Sequence, residues 1–198
     1  MPTVTWPTLN RKPTRQSWEL RSLTQVHESP LNGSVQTQEL PGARWASSIV
    51  FESVAHPDDR AALMSFAAQL RGRAGRVQVR NWGARARGTL GGTPLVAGGA
   101  QTGASLATDG WSVGATVRAG DFFAVAGEFK MVTADATADG VGAMTLTFEP
   151  PLHASPADNA ALTFVAPTVL MMPVADGVAW SYEAGGVITF VFDLIEVL

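Results

Sequence analysis

Residues 186–198 read GVITFVFDLIEVL, an apolar run that only Thr189, Asp193 and Glu196 interrupt. A strand of this composition is typical of a position where neighbours cover both faces and pair with both edges, because an open apolar edge templates aggregation. The segment that precedes it has enough strand and turn signals to close locally. We therefore predict that the partners of this strand lie in the N-terminal half of the chain, so that two distant stretches share one core.

The composition of the chain changes after Arg87. Residues 88–105, GTLGGTPLVAGGAQTGAS, contain six glycines and no charge, and residues 116–152 then read as a compact meander of short strands. In residues 144–149, MTLTFE, apolar and polar side chains alternate, which predicts a strand with one buried face. We interpret residues 88–105 as a flexible loop that leads into an insertion. The predicted organisation is a β-rich domain of residues 1–88 with 168–198, interrupted by a small all-β domain of residues 89–167.

The predicted fold class is mainly β: a β-sandwich or split-barrel domain with one α-helix, interrupted by a barrel-like all-β insertion. The helix is predicted over residues 57–71, because Pro57 begins it and Asp58 and Asp59 suit the positive end of its dipole. Its apolar stripe comprises Leu63, Phe66, Ala67 and Leu70, and Gly72 is placed to end it. The pair Asn32-Gly33 predicts the turn of a β-hairpin.

The composition excludes several classes of function. With no cysteine, the chain has no disulfides, thiolate metal sites or cysteine nucleophile. No apolar run approaches the about 18 residues that a membrane span needs, so we expect no membrane insertion. The first 18 residues hold no apolar core of signal-peptide length, so we expect no secretion by that route.

The net charge of −3 hides an asymmetry along the chain. Residues 1–90 carry twelve Lys and Arg against six Asp and Glu, a net +6, whereas residues 91–198 carry two against eleven, a net −9. Such a division is compatible with nucleic-acid binding by the first part or with complementary faces that meet in an assembly. We favour assembly, because the overall balance is acidic and no basic tract interleaved with aromatic residues occurs.

The glycine-rich stretch does not satisfy either phosphate-binding pattern. Gly98, Gly103 and Ser105 have the spacing of a P-loop, but Ala104 stands where its lysine is required. A dinucleotide-binding GxGxxG fails at Ala100. We therefore expect no phosphate site and no cofactor.

No other motif predicts catalysis or metal binding. DATADG at residues 135–140 resembles half a calcium loop, but Leu146 occupies the position of the bidentate Glu, so we interpret Asp139-Gly140 as a β-turn with positive φ at the glycine. His27, His56 and His153 form no ligand motif, and no GxSxG elbow occurs. We predict that the chain is not an enzyme.

Six tryptophans are spread along the chain, and most are expected in the core or at a domain junction. Trp111 lies in the polar, glycine-flanked stretch TDGWSVG at residues 108–114. It is the best candidate for an exposed tryptophan, and a weak candidate for contact with a glycan or a protein partner.

Several stretches resemble a recurring type of tail protein of long-tailed bacteriophages. They span residues 29–166 and are SPLNGSVQTQELPGARW, PDDRAALMSFAAQLRGRAGRVQV, GTPLVAGGAQTGASLATDGW, VRAGDFFAV and LTFEPPLHASPADNAAL. The resemblance is greatest to the distal tail protein, which forms the ring between tail tube and baseplate. A neighbouring minor tail protein is a closely related alternative.

The resemblance implies a non-enzymatic structural protein of the virion tail tip, assembled in the host cytoplasm. Its implied partners are other copies of itself in a homohexameric ring, the tail tube protein and the hub or baseplate proteins, and DNA passes through the ring without specific binding. An internal insertion departs from the tandem arrangement of two domains in that family. A carbohydrate- or receptor-binding minor tail protein that acts through the insertion stays open as an alternative.

Overall fold

The computed structural model describes residues 3–198, so residues 1 and 2 of the first predicted domain lie outside the described part. Strands account for 51% of the chain and helices for 9%, which confirms the mainly β fold class with a single α-helix. The elements in chain order are β1 (Thr3–Val4), β2 (Arg15–Glu28), β3 (Val35–Val54), α1 (Pro57–Leu70), a 3-10 turn (Gly72–Ala74), β4 (Arg76–Arg80), β5 (Gly92–Val96), β6 (Gly103–Trp111), β7 (Thr116–Val117), β8 (Phe122–Val125), β9 (Glu128–Val132), β10 (Ala136–Thr137), β11 (Met144–Leu152), β12 (Leu162–Thr163), β13 (Thr168–Pro173), β14 (Ala179–Tyr182) and β15 (Ile188–Glu196).

The apolar strand β15 lies in the middle of a seven-stranded sheet of order β1-β4-β13-β15-β3-β2, in which β14 also pairs with β15. On one side β15 pairs antiparallel with β3, from Ile188↔Val54 to Ile195↔Ala46. On the other side it pairs with β13 and then β14. Both edges of the strand are thus occupied, but the predicted partner in the N-terminal half is confirmed for one edge only, since β13 and β14 on the other edge belong to the C-terminal part.

Only one face of β15 is buried, so the prediction that both faces are covered is wrong. Phe190 and Phe192 are at most 1% exposed and pack with Leu63 and Phe66 of α1. The alternate side chains point away from this core, and Val191 is 36% exposed. Because α1 covers one face, β15 follows the two-residue alternation of a half-buried strand despite its apolar composition.

Helix α1 confirms the predicted element and its apolar stripe. Its four stripe residues, Leu63, Phe66, Ala67 and Leu70, are all buried against the first sheet. The end differs slightly from expectation, since the left-handed conformation begins at Arg71, with φ +50°, and continues at Gly72, with φ +59°.

The inserted strands form a six-stranded, nearly closed barrel of order β12-β8-β9-β11-β6-β5. Its first and last strands meet at the Leu95↔Ala161 bridge, where Val96 N–H also donates to Ala160 O over 2.9 Å. A separate core fills it, including Leu106, Phe123, Leu146 and Phe148. The stretch 88–105 is therefore only partly a loop, because residues 92–96 form β5 and close the barrel.

The barrel is inserted at one end of a strand pair. The strands β4 and β13 are antiparallel neighbours, and Arg80, the last residue of β4, pairs with Thr168, the first residue of β13. The chain thus leaves the first sheet and returns to it at adjacent positions, so the insertion stands where a hairpin turn would otherwise join β4 to β13.

The barrel contacts the first sheet mainly through β9. Phe129 is fully buried, stacks on Trp18 at 5.3 Å between ring centroids, and belongs to the core of the first sheet. Its carbonyl oxygen accepts a hydrogen bond of 3.0 Å from Trp45 Nε1. Trp18 and Trp45 therefore lie at the junction of the first sheet with the barrel, a position that was expected for some of the six tryptophans.

Candidate interaction surfaces

A projecting hairpin is the most exposed part of the chain. We call residues 22–41 the arm, which comprises the distal parts of β2 and β3 and their turn. Every residue of the arm except Ser29 is exposed, and Leu31 at its tip is 96% exposed. The predicted turn is confirmed: Gly33 has φ +66°, and Asn32 Oδ1 accepts the N–H of Ser34. The arm is therefore a paired two-stranded ribbon that no other element of the described chain covers.

The two faces of the arm differ in chemistry. The register from Leu23↔Leu40 to Glu28↔Val35 decides which side chains share a face. One face combines two carboxylates with two valines and two threonines: Thr24, Val26, Glu28, Val35, Thr37 and Glu39. We call this the acidic face. The other face is mainly neutral and polar, and the arm contains no Lys or Arg.

A cleft of about 530 Å³ lies where the N-terminal segment crosses the first sheet. We call it the N-terminal cleft; Trp6, Arg11, Lys12, Arg80 and Trp82 supply its aromatic and cationic lining. The Arg80 guanidinium lies 5.5 Å from the ring centroid of Trp82. None of the described residues that line the cleft is acidic. Its chemistry therefore suits an anionic partner that also presents apolar groups.

The wall of the N-terminal cleft is held in place by buried contacts. Trp6 packs on Phe66 at 4.7 Å between ring centroids. Asp59 is 3% exposed and accepts hydrogen bonds of 3.1 Å from both the backbone N–H and the side-chain amide of Asn10. Gln16 donates to Arg80 O and accepts from Trp82 N–H, each at 3.0 Å. The cleft is thus a preformed feature of the folded chain.

The charge asymmetry of the sequence is not neutralised within the chain. Among the described basic residues up to position 90, Arg21 is the only Lys or Arg in an ion pair, 3.1 Å from Glu19. Both basic residues of the later part are paired within the barrel, Arg118 with Asp135 and Lys130 with Glu128, each at 2.7 Å. The cationic surface of the first sheet is therefore available to groups outside the chain.

Trp111 is buried rather than exposed, which corrects the expectation from its polar surroundings. It is 5% exposed, its indole N–H donates to Thr108 Oγ1 at 2.8 Å, and its ring meets Phe164 edge-on at 5.4 Å. It lines one wall of a groove of about 420 Å³ along the barrel seam, with Leu90 and Leu162. A contact with a glycan or a partner stays a prediction, limited by the 5% of the side chain that is exposed.

Hydrogen bonds within the chain occupy the glycine-rich stretch. The Asp158 carboxylate accepts the N–H of Gly98 at 2.8 Å, and Gln101 bonds to the backbone of Ala97, Gly98 and Ala107. The negative charge of Asp158 beside the N–H of Gly98 would repel a phosphate group at this position. No helix of the described chain starts after this stretch.

The DATADG segment contains the short strand β10 and then turns after Asp139, although not at the predicted glycine. Asp139 accepts the backbone N–H groups of Val141 and Ala143, both at 2.9 Å, and these bonds, that of Ala143 first, hold its pKa below the ordinary value. The positive φ belongs to Gly142, at +79°, and not to Gly140. The N–H of Ala119 and the guanidinium of Arg118 likewise lower the pKa of Asp135.

A buried ionic group at the junction is the feature that sequence reasoning missed. Lys130 is fully buried and donates to Pro151 O at 2.8 Å in addition to its ion pair with Glu128. Burial would raise the pKa of Glu128, but hydrogen bonds from Lys130 and from two backbone N–H groups outweigh it and lower that pKa. The only signal in the sequence is a lysine that interrupts the apolar residues of EFKMV.

Glu196 joins the same junction from β15. It is 1% exposed and accepts hydrogen bonds from the N–H of Trp45 at 2.9 Å and of Phe129 at 3.5 Å. Burial raises its pKa, although these two bonds and the charge of Lys130 oppose the shift. The group connects the two sheets.

The histidines do not form a site. His27 lies on the arm, His56 precedes α1, and His153 follows β11 in the barrel. Within residues 3–198, no group of three or more His, Asp or Glu side chains is arranged to hold a metal ion.

No protein-family model matches the chain, and no curated protein matches it at a significant level. Over the part that the structure describes, no helix is both long enough and apolar enough to cross a membrane.

Proposed function

We propose that this chain is a non-enzymatic structural subunit of the tail tip of a long-tailed bacteriophage. In this role it assembles into a homohexameric ring that joins the tail tube to the hub or baseplate and surrounds the DNA exit channel. The observation that carries the proposal is the arm, a long exposed ribbon that has no function within the monomer.

An exposed ribbon of this kind favours a partner for two physical reasons. A two-stranded hairpin is marginally stable in water unless a third strand or a packed face supports it. The arm also exposes large apolar side chains, including Leu31 at 96%, Val26 at 57% and Val35 at 56%. Because β2 is an edge strand, its outer backbone groups are open as well. Contact with other subunits removes all three costs.

The charges support a ring around DNA. A channel wall with dense positive charge would retain phosphate groups and slow the passage of DNA. The basic residues of the first sheet are nearly all without a carboxylate partner in the described chain, whereas the arm carries only acidic charge. Assembly that places the two arm carboxylates, Glu28 and Glu39, on part of this basic surface neutralises that part away from the channel.

The test compares the purified chain with a variant whose arm is shortened. Replacing residues 24–39 by Asn-Gly keeps the Leu23↔Leu40 pair and closes it with a two-residue turn. Mass photometry and negative-stain electron microscopy should show six-membered rings for the wild type and monomers for the shortened variant. Thermal unfolding should show that the variant keeps its core. A monomeric wild type, or rings without the arm, would contradict the proposal.

Binding to the tail tube protein separates a tail ring from other oligomers. Rings mixed with the tube protein of the same phage should stack on tube ends in electron micrographs. Rings that bind neither the tube protein nor the hub protein would contradict the tail-tip role, although the chain would still be a ring-forming protein.

The groove along the barrel seam favours a second candidate, a receptor- or carbohydrate-binding minor tail protein. Its lining includes Trp111 and the 81% exposed Val165. A glycan array should then show binding that Val165→Asp, on the rim, abolishes without unfolding the barrel. Absence of binding by the wild type would remove this candidate.

A further inference from the structure

We propose that the N-terminal cleft of one copy binds the arm of the next copy, acidic face inward. This inference rests on the proposed ring and names its contact. It assigns a ligand class to the cleft: a β-ribbon that presents carboxylates and small aliphatic side chains.

The two surfaces match in charge and in apolar character. The cleft provides Arg11, Lys12 and Arg80 around the rings of Trp6 and Trp82, with no acidic residue among its described lining. The acidic face provides Glu28 and Glu39 together with Val26 and Val35. The valines fit against the indoles, and the two carboxylates fit against two of the three cations; the Arg11 guanidinium also donates to Ser53 O and Thr14 Oγ1 within its own chain.

The positions of the two surfaces exclude docking within one chain. The cleft includes Pro13, just before β2 begins at Arg15, whereas the arm turn follows the end of β2 at Glu28. β2 has 14 residues, so it separates the two by about 45 Å at roughly 3.3 Å per residue. The arm therefore reaches only the cleft of another copy.

The arm and the N-terminal cleft are different surfaces, so in the proposed ring their contact repeats head to tail. Each copy then donates its arm to one neighbour and receives the arm of the other, and repetition of such a contact closes into a ring when the rotation permits. The preformed cleft adds to affinity, because Asp59 and Gln16 already order its wall and little further ordering is needed on binding.

Charge reversal on each surface, followed by their combination, tests the contact. The cleft variant is Lys12→Glu with Arg80→Glu, and the arm variant is Glu28→Lys with Glu39→Lys; all four side chains are exposed, so the core stays intact. Arg85→Glu, exposed and outside the cleft, is the matched control. We expect each double variant to assemble at least tenfold more weakly than the wild type in mass photometry. The variant that combines all four substitutions should recover most of the assembly, and the Arg85→Glu control should form rings as the wild type does.

Rings that persist in both double variants would overturn the docking while leaving the ring itself in place. A wild type that stays monomeric would instead overturn the proposed ring function.

The competing occupant of the N-terminal cleft is a polyanion, and binding of a fluorescent DNA duplex tests for it. If the wild type binds the duplex, the cleft variant does not, and the arm variant still forms rings, the cleft belongs to nucleic acid and the docking is wrong.

Discussion

Glu196 shows how a single side chain links the two sheets. Its carboxylate accepts the N–H of Trp45 from β3 and of Phe129 from β9, at the price of being almost fully buried. Burial disfavours the charged form and raises its pKa above the ordinary value of 4.5. The folded chain therefore holds this proton more tightly than the unfolded chain does.

This shift predicts how Glu196→Gln changes stability with pH. The stabilisation that Glu196 provides is complete below about pH 4.5 and is lost as the pH rises through the folded pKa. Glutamine has no proton to lose, so the melting temperature of the variant relative to wild type should rise between pH 4 and pH 7. The lowered pKa values of Glu128, Asp135 and Asp139 change stability only up to about the ordinary values, 4.5 for Glu128 and 3.8 for the two aspartates, and these groups are present in both proteins.

Glu52→Gln is the control for the substitution itself, because Glu52 is exposed, and it should leave the melting temperature close to that of the wild type. A difference between Glu196→Gln and wild type that does not change with pH would show that the buried carboxyl does not titrate as described.

Gly72 illustrates a position where any side chain is excluded. Its φ is +59°, and a Cβ there would lie 2.7 Å from the Cα and carbonyl oxygen of Asp176. Gly72→Ala must therefore move backbone, and we expect a loss of about 2 kcal/mol or more in the free energy of unfolding, measured by chemical denaturation. Gly177→Ala nearby meets nothing within 4 Å and should be nearly neutral. Equal effects of the two substitutions would contradict this account.

At the scale of elements, α1 is held by its apolar stripe. Phe66 is 2% exposed and contacts Trp6 and Phe192 edge-on or tilted, at 4.7 and 5.4 Å. Phe66→Ala should cost about 3–5 kcal/mol in the free energy of unfolding, because it leaves a cavity between helix and sheet. Gln69→Ala, exposed on the same helix, should change it by less than about 0.5 kcal/mol. A loss below about 1 kcal/mol for Phe66→Ala would mean that the helix is not a fixed part of the core.

The elements that the sequence predicts well are those with local signals. α1 has its proline, its acidic first turn and its 3.6-residue stripe in one segment, and the arm turn has Asn32-Gly33. What depends on distant residues was not predictable: Trp111 is buried because Phe164 packs on it, and one face of β15 is open because α1 covers only the other. The N-terminal cleft is lined by residues that precede α1 in the sequence and by residues that follow it, so no single stretch of sequence predicts the cleft.

At the scale of the whole molecule, the barrel is an insertion between two neighbouring strands of the first sheet, β4 and β13. The chain enters and leaves it at the Arg80↔Thr168 pair, and each sheet has its own core. Phe129 crosses this division, because it is a barrel residue buried in the core of the first sheet. The first sheet can therefore form its own hydrogen bonds without the barrel, but it loses the rings of Phe122 and Phe129 and the backbone groups of Phe129 that bond to Trp45 and Glu196.

Excision of the barrel tests this organisation. Replacing residues 89–167 by a short Gly/Ser linker keeps β4, β13 and the whole seven-stranded sheet. We expect a chain that unfolds cooperatively but at a lower temperature than the intact protein, since Trp18, Trp45 and Glu196 lose their contacts with Phe129. A chain without a cooperative transition in calorimetry would mean instead that the first sheet requires the barrel in order to fold.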